Sequence, residues 1–421
     1  MNHPLVKTLF TLKGNPKACV LTEPVFGIPY NLFVPYASVY MLALGLKDQQ
    51  IGLIASLSLV LQIFTALLGG AITDKYGRRL TLLVTDFLSW SVPCLIWAIS
   101  QDFRYFLLAG LFNSLWRISH TAWSCLLVED ADQSQMVHIW TWIYIFAYGS
   151  AFVAPLAGVM INKLDLVPAM RIIYGAAFVL LTLKLSLTYI FSHETKRGIE
   201  RMAETRNQSL FSQLREYRSV FGQLLHSRGT LVSMALLLMM SIFNTVNSSF
   251  WAVLVTAKMH IPSENIAIFP FVRSLVLLAC LFWLTPRLNT LRFRRPLALG
   301  FAGFLASQAL LVIMPEQNYF LLGVSVILEA FSAAMVSPLL DSLLAVTMNA
   351  AERARLISIV YVAIILFTSP FGWIAGQLSA INRTFPFILN MALFVIAGGL
   401  VVASKWLESR PGADTAAPAA S

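Results

Sequence analysis

The stretch Gly70-Ala-Ile-Thr-Asp74-Lys75-Tyr-Gly77-Arg78-Arg79 decides how this chain is read. An apolar run from Ile51 to Ile72 precedes it, and another from Leu80 to Ile99 follows it. Each run is long enough to cross a hydrocarbon layer as a helix. Charges crowded into the short turn between two such helices place that turn at a membrane surface, not in a protein core.

Composition agrees. Of 421 residues, 58% are hydrophobic and 12% charged. A water-soluble domain carries about 25% charged residues, so this chain cannot cover a water-facing surface and has lipid as its solvent. The net charge of +10 would suit nucleic acid. The basic residues, however, sit at the ends of apolar runs and form no basic domain, which excludes a nucleic-acid partner.

Segments of spanning length recur twelve times, near 25–46, 50–73, 79–100, 104–128, 138–161, 167–192, 229–256, 264–286, 296–314, 319–347, 357–379 and 385–405. With both termini inside, the outer joins hold only Lys47, Arg104, Lys163, Arg171, Lys258 and Arg383. Arg117, Lys184 and Arg273 fall within spans, and the rest of the 30 lysines and arginines lie in inner segments. This bias predicts cytoplasmic termini in a multi-pass protein of the cell membrane. No small-residue cleavage site follows a short apolar core, so the first span is expected to be retained.

The expected organisation is a first six-helix bundle at 1–192, a cytoplasmic linker at 193–228, a second bundle at 229–405 and a disordered tail at 406–421. In the linker, Leu210, Phe211, Leu214, Tyr217, Val220, Phe221, Leu224 and Leu225 recur at helical spacing, which predicts an amphipathic helix on the inner membrane face. The halves echo each other: a shift of about 216 residues lays Arg294-Arg295 on Arg78-Arg79, with Thr290 opposite Asp74 and Phe293 opposite Gly77.

The opening stretch fits the pattern G-x-x-x-D-[RK]-x-G-[RK]-[RK] at every fixed position. In this it resembles the signature loop of major facilitator superfamily (MFS) secondary transporters, and the compact joins suit a bacterial type. The resemblance implies an all-α membrane protein with twelve transmembrane helices in two pseudo-symmetric six-helix bundles. It also implies a conformational latch built from Gly70, Asp74, Gly77, Arg78, Arg79, Glu129 and Asp130. In such a latch Asp74 meets the cytoplasmic start of the eleventh helix, and the arginines reach Glu129 and Asp130 at the inner end of the fourth. Physically, Gly70 permits close helix approach and Gly77 a tight turn. As mere topology anchors, the basic residues would need neither glycine nor Asp74.

Other residues are candidates for the transport path. Asn113, Arg117, His120 and Ser124 share one face of the fourth span. A buried arginine there costs at least about 2.5–3.5 kcal/mol unless paired or wet. Glu329 lies near mid-depth in the tenth span. In the facilitator fold the first, fourth, seventh and tenth helices line the central pathway, so Arg117 and Glu329 are candidate coupling charges and candidate partners. A static ion pair is the competing reading. Arg273 in the eighth span is a gate residue or the partner of an acid. Asn244, Asn247 and Trp251 on the seventh span, with Asn31 and Tyr36 on the first and Asn113 and His120 on the fourth, are candidate substrate contacts. Taken singly, each is as well explained by helix packing. Asp86 and Lys184 lie in inner parts of the third and sixth spans, where snorkelling or pairing accounts for them.

Cys19, Cys94, Cys125 and Cys280 have no metal-ligand spacing and form no disulfide framework, so no metal is expected. No nucleotide loop, zinc-protease motif or serine elbow occurs, so neither a cofactor nor an enzyme is expected. The expected activity is alternating-access transport of a small-molecule substrate by a monomer in the lipid bilayer, coupled to protons. Export of a partly apolar compound leads. Uptake of a sugar or metabolite is the alternative, and a lipid flippase or scramblase is the rival of a different class.

Overall fold

The structure, a computed structural model, describes residues 4–132, 135–207, 209, 228–284, 287, 293–346 and 353–404. Among these residues there is no strand. The spanning helices are α1 (Gly14–Ala43), α2 (Asp48–Tyr76), α3 (Arg78–Ala98), α4 (Phe103–Asn113 and Trp116–Val128), α5 (Met136–Leu164) and α6 (Leu166–Phe191). They continue with α7 (Gly229–Ala257), α8 (Ser263–Trp283), α9 (Arg294–Ile313), α10 (Tyr319–Leu344), α11 (Ile359–Ile381) and α12 (Phe385–Ala403). Eleven are continuous helices long and apolar enough to span. The fourth expected span is present but broken at Ser114-Leu115. Helix is imposed here because hydrocarbon offers no partner to a backbone N–H or C=O. Large apolar side chains such as Phe64, Leu299, Phe320 and Phe367 point outwards, as a lipid-facing surface requires.

The chain forms two compact units, Met1–Glu216 with Pro262–Phe271, and Tyr217–Ile261 with Val272–Ser421. In the first unit α1 packs on α4, α5 and α6; α3 packs on α4 and α6; α5 packs on α6. In the second, α7 packs on α10, α11 and α12; α9 packs on α10 and α12; α11 packs on α12. Adding six to each helix number of the first set yields the second, so both units follow one plan. The first segment of α8 belongs to the first unit, where Phe271 meets Phe152 edge-on at 5.3 Å. The passage is tight: a Cβ on Gly158 of α5 would lie 2.1 Å from the Glu264 carbonyl oxygen.

Each unit has an aromatic core. In the first, Tyr40 lies 5.7 Å from Phe106 and 5.6 Å from Tyr174, which is 5.4 Å from Trp97. In the second, Phe304 and Phe394 stack at 4.9 Å, each 5.1 Å from Phe243. These contacts come from α1, α3, α4 and α6 in one unit and from α7, α9 and α12 in the other. Cys19, Cys94 and Cys280 are buried packing residues, and none of the four cysteines is in a disulfide among the described residues.

Helix irregularities are stitched by neighbours. Pro24 and Pro29 sit inside α1, which tightens to a 3₁₀ turn at Val34–Tyr36. A π turn at Phe87–Ser91 interrupts α3, and the Ser89 carbonyl accepts from Asn113 Nδ2 at 2.8 Å. At the break in α4, the Ser114 carbonyl accepts from Thr65 Oγ1 of α2 at 2.8 Å. After α6, a short linker helix runs Lys196–Thr205, capped by Thr195, whose hydroxyl accepts from the Gly198 N–H at 2.8 Å. The expected amphipathic positions from Leu210 to Leu225, the tail 406–421 and Thr290 lie outside the described residues.

Close packing of α9 on α10 gives the first testable consequence. A Cβ on Gly300 would sit 2.3 Å from Val336 Cγ2, whereas one on Gly323 would meet nothing within 4 Å. Gly300→Val should destabilise by about 1–3 kcal/mol, read as a lower melting temperature in detergent, while Gly323→Ala should leave it unchanged.

Candidate functional site

The signature loop folds around a buried arginine. Gly77 has φ +83°, a conformation that a side chain resists. It releases α2 and starts α3, where the Glu194 carboxylate covers the helix start. Glu194 Oε1 accepts from the Arg78 N–H at 3.0 Å and Oε2 from the Arg79 N–H at 3.1 Å. A Cβ on Gly77 would lie 2.6 Å from that carboxylate, and one on Gly198 at 2.0 Å. The two glycines therefore make room for the cap, and the carboxylate also meets the positive end of α3.

Arg78 is only 3% exposed. Its Nε and Nη2 fork onto Glu129 at 3.0–3.2 Å, and Nη2 also pairs with Asp74 at 3.0 Å. The other Asp74 oxygen takes Nε and Nη2 of Arg201 on the linker helix at 3.0 and 2.9 Å. Asp74 and Glu204 in turn hold the Arg201 guanidinium above its usual pKa. Thr195 Oγ1 donates to Glu129. This end of the first unit is thus one network running Glu129, Arg78, Asp74 and Arg201.

Three details of the expected latch are corrected. Arg79 reaches neither Glu129 nor Asp130: it donates to the Tyr189 carbonyl at 3.0 and 2.7 Å and lies 3.8 Å over the Tyr189 ring. Asp130 instead accepts from Asn15 Nδ2 at 2.9 Å, and Asn15 Oδ1 accepts from the His193 N–H. The close helix approach falls one residue early. A Cβ on Gly69 would be 3.2 Å from Thr121 Oγ1, whereas Gly70 has nothing within 4 Å. Glu194 and Arg201 are invisible as site residues in the sequence, because each joins the loop from over a hundred residues away, and so is Asn15, which meets Asp130 across a similar distance.

Deeper in the first unit, Lys184 and Asp86 pair at 3.0 Å, nearly sealed from solvent. Lys184 also sits 5.4 Å from the Phe26 ring centroid, and the charge of Glu23 on α1 acts on it. On α4, Arg117 Nε donates to Gln62 of α2 at 3.1 Å and its guanidinium lies 4.1 Å over Trp116. His120 is an exposed ring flanked by Trp116 at 5.8 Å and Trp123 at 6.1 Å. Other candidate contacts are engaged locally. Asn31 Nδ2 donates to its own helix at the Gly27 carbonyl, and Asn113 stitches the π turn. Tyr36 is fully buried, its hydroxyl 3.5 Å from where a Gly158 Cβ would be, which makes it a packing residue.

In the second unit, Glu329 of α10 is 3% exposed. Its Oε1 accepts from Arg273 Nε of α8 at 3.2 Å, and Asn247 Nδ2 of α7 lies 3.4 Å from both carboxylate oxygens. Arg117 and Glu329 belong to different units, and each has a partner within its own unit. Arg273 is the acid's partner that the sequence left open. Asn244 and Trp251, each about one helical turn from Asn247 on α7, are exposed and half-buried, respectively.

A helical membrane unit repeated in one chain, with charges held at mid-depth by side chains of neighbouring helices, is the arrangement of a solute carrier. The chain belongs to the Major Facilitator Superfamily, whose family model matches residues 25–363. It is similar in fold to a mutant of the nucleoside transporter NupG, with TM-score 0.74 and 14% identity over 93% of this chain and 99% of that one. The human organic anion transporter MFSD10 (TETRAN) superposes with TM-score 0.62 and 17% identity over 95% of this chain and all (100%) of that one. A shorter sequence likeness, 34% identical over 110 residues, links it to the nitrate/nitrite transporter NrtP of Picosynechococcus sp. (strain ATCC 27264 / PCC 7002 / PR-6). That match covers 25% of this chain and only 20% of the relative's length.

The inner network makes its own prediction. Glu129→Gln takes the forked carboxylate from a buried arginine, which should cost about 3 kcal/mol and lower the melting temperature in detergent. Glu200→Gln, at an exposed pair with Arg197, should change it little.

Proposed function

We propose that this protein is a monomeric secondary active transporter of the cell membrane, with both termini in the cytoplasm, moving a small, partly apolar organic molecule by alternating access and coupled to protons. The observation that carries the coupling is Glu329. It is a carboxylate at mid-depth in α10, sealed from solvent and held by Arg273. An isolated charge there would be costly, so the site tolerates either an ion pair or a protonated acid. α7 brings only the neutral amide of Asn247 to it. α9, α11 and α12 carry no aspartate, glutamate or histidine at all. Arg273 is the charged side chain that contacts it among the described residues. When Glu329 takes a proton it lets go of the guanidinium, which converts a proton gradient into a change of site chemistry.

In this reading the Asp74, Arg78 and Glu129 network is the latch that sets conformational balance, and Arg117 and His120 present polar groups to the substrate from the first unit. Export is the direction favoured by the aromatic and amide faces, uptake of a sugar or metabolite the alternative. Lipid flipping would show as movement of labelled phospholipid in the same vesicles without a water-soluble substrate.

Purified protein in vesicles with an imposed pH gradient tests this directly. Accumulation or loss of a labelled solute should follow the gradient and stop with a protonophore; transport indifferent to the gradient would end the coupling proposal. Glu329→Gln should flatten the pH profile, and an unchanged profile would eliminate it as the proton site. Asp74→Asn should insert normally but lose transport, whereas full transport would remove the latch.

A further inference from the structure

The second unit holds two unused polar groups beside Glu329. Arg273 uses only Nε on the carboxylate. Among the described residues neither of its terminal nitrogens makes a hydrogen bond, and 41% of its side chain is open. Four N–H donors and a charge therefore face away from the pair. The second group is Asn247. Its nitrogen must face Glu329, since carboxylate oxygens only accept. That orientation leaves Asn247 Oδ1 buried with no hydrogen-bond partner. A buried acceptor without a donor is costly, and a bound molecule offering an O–H or N–H would recover that cost.

We propose that Arg273 and Asn247 form the recognition site for a small organic anion that carries a hydrogen-bond donor next to its anionic group, such as a 2-hydroxy or 2-amino carboxylate. The terminal nitrogens of Arg273 take the carboxylate in a two-point fork, and Asn247 Oδ1 accepts from the neighbouring hydroxyl or amine. Glu329 decides when the site is ready. Ionised, it shares the guanidinium and repels the incoming anion. Protonated, it frees the full charge of Arg273. Proton and anion thus assist each other's binding, and by linkage the assistance is reciprocal. That couples them in the same direction and, at this site, turns the preference from export by exchange to the alternative given above, uptake together with protons. The inference rests on the transporter reading and sharpens it to a substrate class.

The test is a ligand panel on the purified full chain, read as melting-temperature shift and isothermal binding. The panel holds lactate and phenyllactate, their deoxy partners propionate and phenylpropionate, the methyl esters of the two hydroxy acids, and phenethylamine. At least one hydroxy acid should stabilise and bind, more tightly at mildly acid than at mildly alkaline pH. Its deoxy partner should bind about tenfold more weakly, having no donor for Asn247. Esters and amine should do nothing. Asn247→Leu should erase the difference between hydroxy and deoxy acid. Because Arg273→Gln alone strands a buried carboxylate, the charge is removed in the pair E329Q/R273Q, which should ignore every acid, while E329Q alone binds acids without pH dependence. Stabilisation by esters or amine equal to that by acids, failure of all the acids, or retained binding in E329Q/R273Q overturns the proposal. Gradient-driven transport of neutral or cationic solutes in vesicles would sink it while leaving the transporter reading intact.

Discussion

The cost of holding a charge in hydrocarbon governs this structure. An ionised side chain at mid-depth loses several kilocalories of hydration, and three basic ones are met by a side chain on a different helix. Lys184 on α6 meets Asp86 on α3, Arg273 on α8 meets Glu329 on α10, and Arg117 on α4 meets Gln62 on α2. Each of these contacts requires its helices to keep one rotation and one depth. Apolar packing alone specifies rotation poorly in lipid, since a leucine gains as much from an acyl chain as from a neighbouring helix. The polar pairs therefore supply the register that a hydrophobic core supplies in water.

The same constraint reads on the backbone. Wherever a helix departs from its regular ladder, a carbonyl is released that water cannot reach. The π turn in α3 is answered by Asn113 and the break in α4 by Thr65. These repairs let the helices bend without stranding polar atoms. They also explain why some polar residues that look suited to ligand binding are spent on structure. Asn31 and Asn113 both serve backbone carbonyls, and Tyr36 is buried beside Gly158, where the Glu264 carbonyl leaves no room for a side chain.

How far the sequence could be read follows from the range of each interaction. The spans were legible because their apolar runs are local, and so was the loop, whose Gly70 to Arg79 spacing is a local pattern. The repeat showed only as Arg294-Arg295 echoing Arg78-Arg79, whereas the structure carries it through six matching helix contacts in each unit. Partners were harder. Arg78 was expected near Glu129 and is found there, but Arg79 turns to Tyr189, and Glu194 takes the backbone ahead of the loop. Nothing in the run His193-Glu194-Thr195 marks it as a cap for a helix start over a hundred residues earlier. Glycine positions were misjudged by one place, Gly69 for Gly70, because helical phase against a neighbour is fixed by packing and leaves no mark on the pattern.

The two interior ion pairs differ in a way that separates structure from mechanism. Lys184 and Asp86 are both nearly sealed, at 6% and 10% side-chain exposure. Parting them would strand two charges at once, and no solvent or solute has access to replace either partner. That pair is a fixed strut. Glu329 is sealed at 4%, but Arg273 is 41% open. Here one partner can be exchanged while the other stays put. A solute anion can compensate the arginine, and a proton can compensate the glutamate, so the pair can open without leaving a bare charge in the membrane. A fold built to minimise buried charge would seal both pairs alike. In the proposed coupling, leaving one arginine half open keeps an ion pair that two mobile species take apart together.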